Sequence, residues 1–168
     1  MNTRRIVILG FMGCGKTTVG EELARQLTCG FVDLDSFISS REGRSVADII
    51  TVDGEGAFRE LETLALRDVL HNPQVHVIAL GGGTWAMPAN RTIVALYDCL
   101  TVWLDTSFDT CWERIESATT ARPLAPDRET AKKRFEERRD LYALAERRIE
   151  VETADSAKRI VEKIFRET

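Results

Sequence analysis

The sequence predicts an α/β fold: a parallel sheet covered by helices on both faces. Three observations carry this expectation. Short apolar, β-branched runs alternate with stretches of helical periodicity along the whole chain. A glycine-rich motif at residues 10–17 lies between the first such run and the first such helix. Acidic residues or glycines close several of the runs, at the strand ends where parallel sheets bind ligands.

The elements follow in order. Residues 4–9, "RRIVIL", suit a strand buried on both faces. Residues 17–27 place Val19, Leu23, Ala24 and Leu27 at helical spacing, and Gly30 is a plausible stop. "FVDLD" (31–35) reads as a second strand. Helices are expected over 45–50 and 56–70, the latter with Phe58, Leu61, Ala65 and Leu66 on one side. "VHVIAL" (75–80) is a third strand, "LTVWLD" (100–105) a fourth and "RIEVET" (148–153) a weaker fifth. The stretches 89–97, 107–117, 129–147 and 155–166 are expected to be helical between and after them.

At 168 residues the chain fits one domain, and no linker, repeat or low-complexity run divides it. Its 43% hydrophobic and 30% charged residues are ordinary for a globular protein. A net charge of -4 without a basic block argues against a nucleic-acid surface, but a small anionic ligand needs only a few local arginines. No apolar run reaches a membrane span of roughly 20 residues. The opening "MNTRRIVILGFMGCG" turns into a glycine-rich motif rather than a small-residue cleavage site, so no signal peptide is expected. Cys14, Cys29, Cys99 and Cys111 lack C-x-x-C or zinc-like spacing, and His71 and His76 complete no cluster. Free thiols and a cytoplasmic location are expected.

"GFMGCGKT" matches G-x-x-x-x-G-K-[ST] in the strand-to-helix context that the motif requires. Backbone N–H groups curl around phosphate oxygens there, and the helix N-terminus adds its positive end. A nucleoside triphosphate is the expected ligand, held by Gly13, Cys14, Gly15, Lys16, Thr17 and Thr18. Lys16 should reach the β- and γ-phosphates and Thr17 should ligate Mg²⁺. A helix N-terminus lowers a thiol's pKa, so Cys14 is expected to react with alkylating agents and to be protected by nucleotide. An inert residue filling the loop is the alternative.

Asp33 and Asp35, two apart, would share one face of a strand and point into the cleft at its end. Two turn aspartates ending the strand are the alternative. Asp105, a rival acid, is expected to cap the helix beginning near Ser107. In "GEGAFRELE" (54–62), Arg59 has Glu62 at i+3. It is either a solvated helix charge or a guanidinium aimed at a carboxylate.

Taken together, "GFMGCGKTTVG", "FVDLD", "GRSVADIITVDGEGAFRELE", "LGGG", "RPL" and "RRDLY" closely resemble the shikimate kinases, within the nucleoside monophosphate kinase-like P-loop group. The resemblance covers nearly the whole chain. It implies a three-layer α/β/α P-loop fold with a five-stranded parallel sheet of order 2-3-1-4-5. A helical substrate-binding segment would span about 33–62, and a mobile lid about 115–127. The implied reaction carries phosphate from ATP to the 3-hydroxyl of shikimate. Asp33 would then help order Mg²⁺ through water, and Asp35 would meet the reacting hydroxyl as base. Arg59 and Arg138 would bind the acceptor carboxylate, with Glu62 orienting Arg59 and with Arg139 as the rival register for Arg138. Gly81, Gly82 and Gly83 would allow close backbone approach to the acceptor. Arg122 in the lid would swing onto the phosphates, and Arg114 would pack on adenine, unless it is a surface helix arginine. The adenine loop would lie near 153–156. Trp85 would either narrow the pocket or fill core. The implied partners are ATP and shikimate alone, and a monomer is expected. Another small-molecule P-loop kinase of gluconate type, a nucleoside monophosphate kinase, and a nucleotide-dependent switch are the rival readings. The chain has no guanine-reading N-K-x-D to favour the switch.

Overall fold

Ile6, Val7, Ile8 and Leu9 form β1 (Ile6–Leu9), and none is more than 7% exposed. Covering such a strand on both faces requires helices on both sides of the sheet. The computed structural model, which describes residues 4–119 and 123–166, has that architecture. After β1 come α1 (Lys16–Leu27), β2 (Gly30–Asp33), α2 (Leu34–Glu42), α3 (Val46–Asp53), α4 (Glu55–His71) and β3 (Val75–Ala79). A 3₁₀ turn (Thr84–Ala86), α5 (Pro88–Leu96), β4 (Leu100–Thr106) and α6 (Phe108–Ser117) follow. The chain continues with α7 (Arg128–Tyr142), β5 (Arg147–Val151) and α8 (Ala157–Arg166). All strand pairs are parallel, in the order β2-β3-β1-β4-β5. The three-layer fold and the strand order are those expected.

Position in the sheet explains each strand's composition. The inner strands β1, β3 and β4 are nearly all buried, whereas edge strand β5 buries Ile149 and Val151 and exposes Arg148 and Glu150. Charge on that edge discourages pairing with another sheet. Helix α1 buries Val19, Leu23 and Ala24 and packs against α8, β2 and β3. Helix α4 buries Phe58, Glu62, Ala65, Leu66 and Val69 and packs against α2, α3 and α5. Each full burial of a leucine such as Leu66 contributes about 1.5–3 kcal/mol. The carboxylate in that apolar stripe, Glu62, belongs to the site.

Several boundaries differ from expectation. β2 ends at Asp33, so "FVDLD" is not one strand: the Asp33 carboxylate accepts from the Ser36 N–H at 3.0 Å and caps α2. Asp35 therefore stands in the first turn of a helix rather than beside Asp33 on a strand face. Helix α2 itself was missed because only Leu34 and Ile38 on it are buried, too weak a stripe to read. The helix expected to reach residue 147 stops at Tyr142, where no glycine or proline announces the end. Asp105 caps nothing. Ser107 caps α6 by accepting from the Thr110 N–H, while the Asp105 carboxylate pairs with Arg148 and Arg139 beside the Trp103 ring.

Candidate active site

Two half-sites meet at the carboxyl ends of β1, β2 and β3. The first is the loop from β1 into α1. Gly15 takes φ 98°, a left-handed conformation that a side chain resists, and it turns the chain into the helix. The first intrahelical bond there is Val19 N–H to Gly15 carbonyl, so the N–H groups ahead of it are left for a ligand at the positive helix end. Thr17 and Thr18 are exposed on that turn. Lys16 Nζ donates to the carbonyls of Gly10 and Phe11, both at 2.9 Å. Cys14 is 1% exposed, which fits the inert filler and contradicts the expectation of a readily alkylated thiol.

The loop is tied to its neighbours. Thr17 Oγ1 donates to Asp33 Oδ2 at 2.6 Å, joining the P-loop to the end of β2. Exposed Arg114 reaches from α6 and donates to the Gly13 carbonyl at 3.0 Å. It therefore lies against the P-loop, and is more than a surface helix charge. Beyond β5, Asp155 pins the segment expected to face adenine. It accepts from the Glu152 N–H at 2.9 Å and pairs with Lys163 and Arg159. Thr153 touches Thr110 hydroxyl to hydroxyl at 3.0 Å.

The second half-site is a cavity of about 430 Å³ whose lining includes Met12, Asp35, Arg59, Gly82, Gly83 and Arg138. Pro123 and Leu124 also line it. Helix α4 follows α3 through Gly54 alone, and this tight junction sets Phe58 toward the core and Arg59 toward the cavity. The Arg59 guanidinium donates to Glu62 at 2.5 Å and to Glu55 at 3.0 Å, and its side chain is 13% exposed. Burial works against its charge, but Glu62 and Glu55 outweigh that and raise its pKa, so it stays cationic. Burial likewise opposes the ionised form of Glu55, yet its bond to Arg59 holds it below the usual carboxylate range.

The glycine triplet is tightly hemmed in by neighbouring side chains. A Cβ on Gly83 would lie 2.6 Å from Arg59 Cζ, and one on Gly81 would lie 2.7 Å from both Asp35 Oδ1 and Glu62 Oε1. Any side chain at either position would push these groups aside. The acidic side chains of Asp35 and Glu62 are thus near neighbours around Gly81.

Arg138 and Arg139 part company on α7. Arg138 is buried, lines the cavity and comes within 3.5 Å of a Cβ built on Gly82. Arg139 turns away to Asp105 and Trp103. One turn on from Arg138, buried Tyr142 donates its hydroxyl to the Gly82 carbonyl. Burial raises that phenol's pKa. Trp85 is core: it is 4% exposed, and its indole N–H donates to the Leu141 carbonyl at 2.8 Å. Arg122 lies outside the described residues. Of the expected lid, 115–117 belong to α6, with Ile115 buried, and Asp127 caps α7.

Sequence reasoning missed Thr84, Asn90, Tyr142 and Asp155. Tyr142 sits four residues after Arg138, a helical spacing that could have paired them. Asp155 lies in a polar "ETADS" run that suggests a turn. Thr84 and Asn90 gave no signal.

Comparison with known proteins agrees with this geometry. The family model described as shikimate kinase matches residues 12–168. A shikimate kinase of Sulfurihydrogenibium sp. is 37% identical over 162 residues, covering 96% of this chain and 96% of that protein. The crystal structure of shikimate kinase from Bacteroides thetaiotaomicron superposes with a TM-score of 0.87 at 31% identity, covering 98% of this chain and 97% of that one. Shikimate kinase from Acinetobacter baumannii in complex with shikimate gives a TM-score of 0.87 at 29% identity, covering 99% of this chain and 93% of that one. With the phosphate loop, the cavity and these matches in agreement over almost its whole length, the chain belongs to the shikimate kinase family.

Proposed function

We propose that this kinase transfers the γ-phosphoryl group of ATP to the 3-hydroxyl of shikimate, giving shikimate 3-phosphate and ADP. One observation carries the reading: the guanidinium groups of Arg59 and Arg138 share a single cavity with the Asp35 carboxylate, next to the phosphate loop. Two largely buried cations suit a small carboxylic acid. Planar N–H forks match a carboxylate better than an ammonium does.

In this reading Arg59 and Arg138 bind the acceptor carboxylate, and the backbone of Gly81 to Gly83 lets the ring approach. The ring then presents its 3-hydroxyl toward Asp35. The hydroxyl oxygen attacks the γ-phosphorus as the bond to the β–γ bridging oxygen breaks. Asp35 takes the hydroxyl proton, and ADP leaves with the electron pair of the broken bond. Lys16 and the N–H groups at the start of α1 hold the β- and γ-phosphates and stabilise charge as it shifts. Arg122 would cover the phosphates as the lid closes, and Arg114 would border the nucleotide.

Thr17 and Asp33 would hold Mg²⁺. Their oxygens meet 2.6 Å apart at the mouth of the P-loop, and this ion takes hard oxygen donors along with substrate phosphates. Bound there, the ion would supply positive charge that offsets the negative charge of the phosphates. We place the enzyme in the cytoplasm as a monomer, where its four free cysteines would stay reduced. No helix of the described residues is long and apolar enough to cross a membrane.

The test is ADP release by the purified protein with ATP and Mg²⁺, in the absence of acceptor, with shikimate, and with gluconate. The product is then identified by mass and by the position of the phosphate. Release that requires shikimate and yields the 3-phosphate is the expected result. Equal release with gluconate, or slow release independent of any acceptor, would contradict the reading.

A further inference from the structure

Glu62 is a carboxylate with no solvent exposure, and burying such a group is costly unless its oxygens are partnered. Arg59 takes Oε2, and the hydroxyl of Thr84 donates to Oε1 at 2.5 Å. Thr84 is itself fully buried in the 3₁₀ turn that follows the glycine triplet, with its N–H donating to the Gly81 carbonyl at 3.1 Å. Its own carbonyl accepts from the side-chain amide of Asn90, also fully buried, at 2.9 Å. The amide oxygen of Asn90 accepts from the Thr63 hydroxyl at 2.8 Å, and Thr63 is the residue after Glu62 on α4. The chain of bonds therefore closes into a ring that runs from α4 through α5 and the 3₁₀ turn back to α4.

The second Glu62 oxygen leads out of this ring to the Arg59 guanidinium, and the Thr63 hydroxyl also lies 3.2 Å from the Arg59 carbonyl. The ring joins the glycine turn, which forms one wall of the acceptor cavity, to the guanidinium, which forms another. We propose that Thr84, supported by Asn90 and Thr63, is a positioning residue that aims Arg59 at the acceptor carboxylate by fixing Glu62. The proposal deepens the acceptor reading above and rests on it. Thr84 touches neither substrate nor nucleotide in this account. Its hydroxyl acts only through Glu62, because a charge-assisted bond from a locked donor leaves that carboxylate one orientation.

The decisive variants are Thr84→Val, which keeps the shape and removes the donor, and Thr84→Ser, which keeps the donor. Loss of one hydrogen bond to a charged group should raise the KM for shikimate about tenfold in Thr84→Val. The KM for ATP should stay within about twofold, and Thr84→Ser should restore most of the loss. A merely structural role would instead lower kcat and raise both KM values together, and serine would rescue by thermal stability alone. Should Thr84→Val fail to fold, Thr63→Val breaks the ring at its half-buried member and should raise the shikimate KM in the same direction, by about threefold. An unchanged shikimate KM in the folded variant, or an equal rise in both KM values, overturns the proposal. If the unmodified protein shows no shikimate-dependent turnover, the acceptor reading falls first and this proposal falls with it.

Discussion

The donor and acceptor half-sites are built by opposite means. For the phosphates the proposed site offers a contiguous loop, one lysine and exposed hydroxyls, so most of its chemistry would come from backbone N–H groups and the end of α1. Around the proposed acceptor cavity it uses side chains from α2, α3, α4 and α7, with a fully buried carboxylate, Glu62, among them. Backbone recognition suits a group every kinase of this kind must hold. A buried side-chain network suits a choice among acceptors, because each misplaced polar group costs more where water is absent.

The largest effect that would sharpen this contrast is expected at Asp35. Asp35→Asn removes the proton acceptor and should lower kcat by roughly 10²–10⁴-fold while nucleotide binding persists. Steady-state kinetics alongside nucleotide titration would check both halves of that statement. Lys16→Met acts on the donor side and should lower kcat by about 10²–10³-fold whichever acceptor is supplied. If its loss depended on the acceptor, the two half-sites would not be separable. Arg59→Lys is smaller and one-sided. It should raise the shikimate KM by about tenfold or more, through loss of the fork, and leave the ATP KM alone.

The smallest effect concerns stability. The bond from Lys163 holds the Asp155 carboxyl below its usual range. A group whose folded pKa is depressed stabilises the fold above its unfolded value, about 3.9, and that contribution is lost as pH falls through the folded value. Thermal melts between pH 6 and pH 2.5 should therefore show Asp155→Asn less stable than the unmodified protein at the upper end, with the gap closing on acidification. A gap that widened with acid would refute the linkage.

How much could be read in advance follows the same division. The P-loop was legible because its chemistry is contiguous, and residues 10–17 state it in one line. The inner strands were legible because burial on both faces leaves apolar runs, unbroken in β1 and interrupted only by Thr101 before Asp105 in β4. Arg59 and Glu62 were found as an i, i+3 pair, but nothing in that spacing showed that Glu62 would be buried. Thr84 and Asn90 were invisible because ordinary residue types act there only through a three-dimensional ring. The aspartates in "FVDLD" misled for a different reason. An aspartate that caps a helix and an aspartate at the end of a strand leave the same letters, and the cap prevailed at Asp33.

The central proposal is that two largely buried arginines, Arg59 and Arg138, select the acceptor by its carboxylate. Its most direct test compares shikimate with its methyl ester as acceptor, at fixed ATP and Mg²⁺, by ADP release. The account predicts saturation with shikimate and a KM for the ester higher by about tenfold or more, with an unchanged ATP KM. Equal KM values for acid and ester would contradict it and remove Arg59 and Arg138 from acceptor recognition.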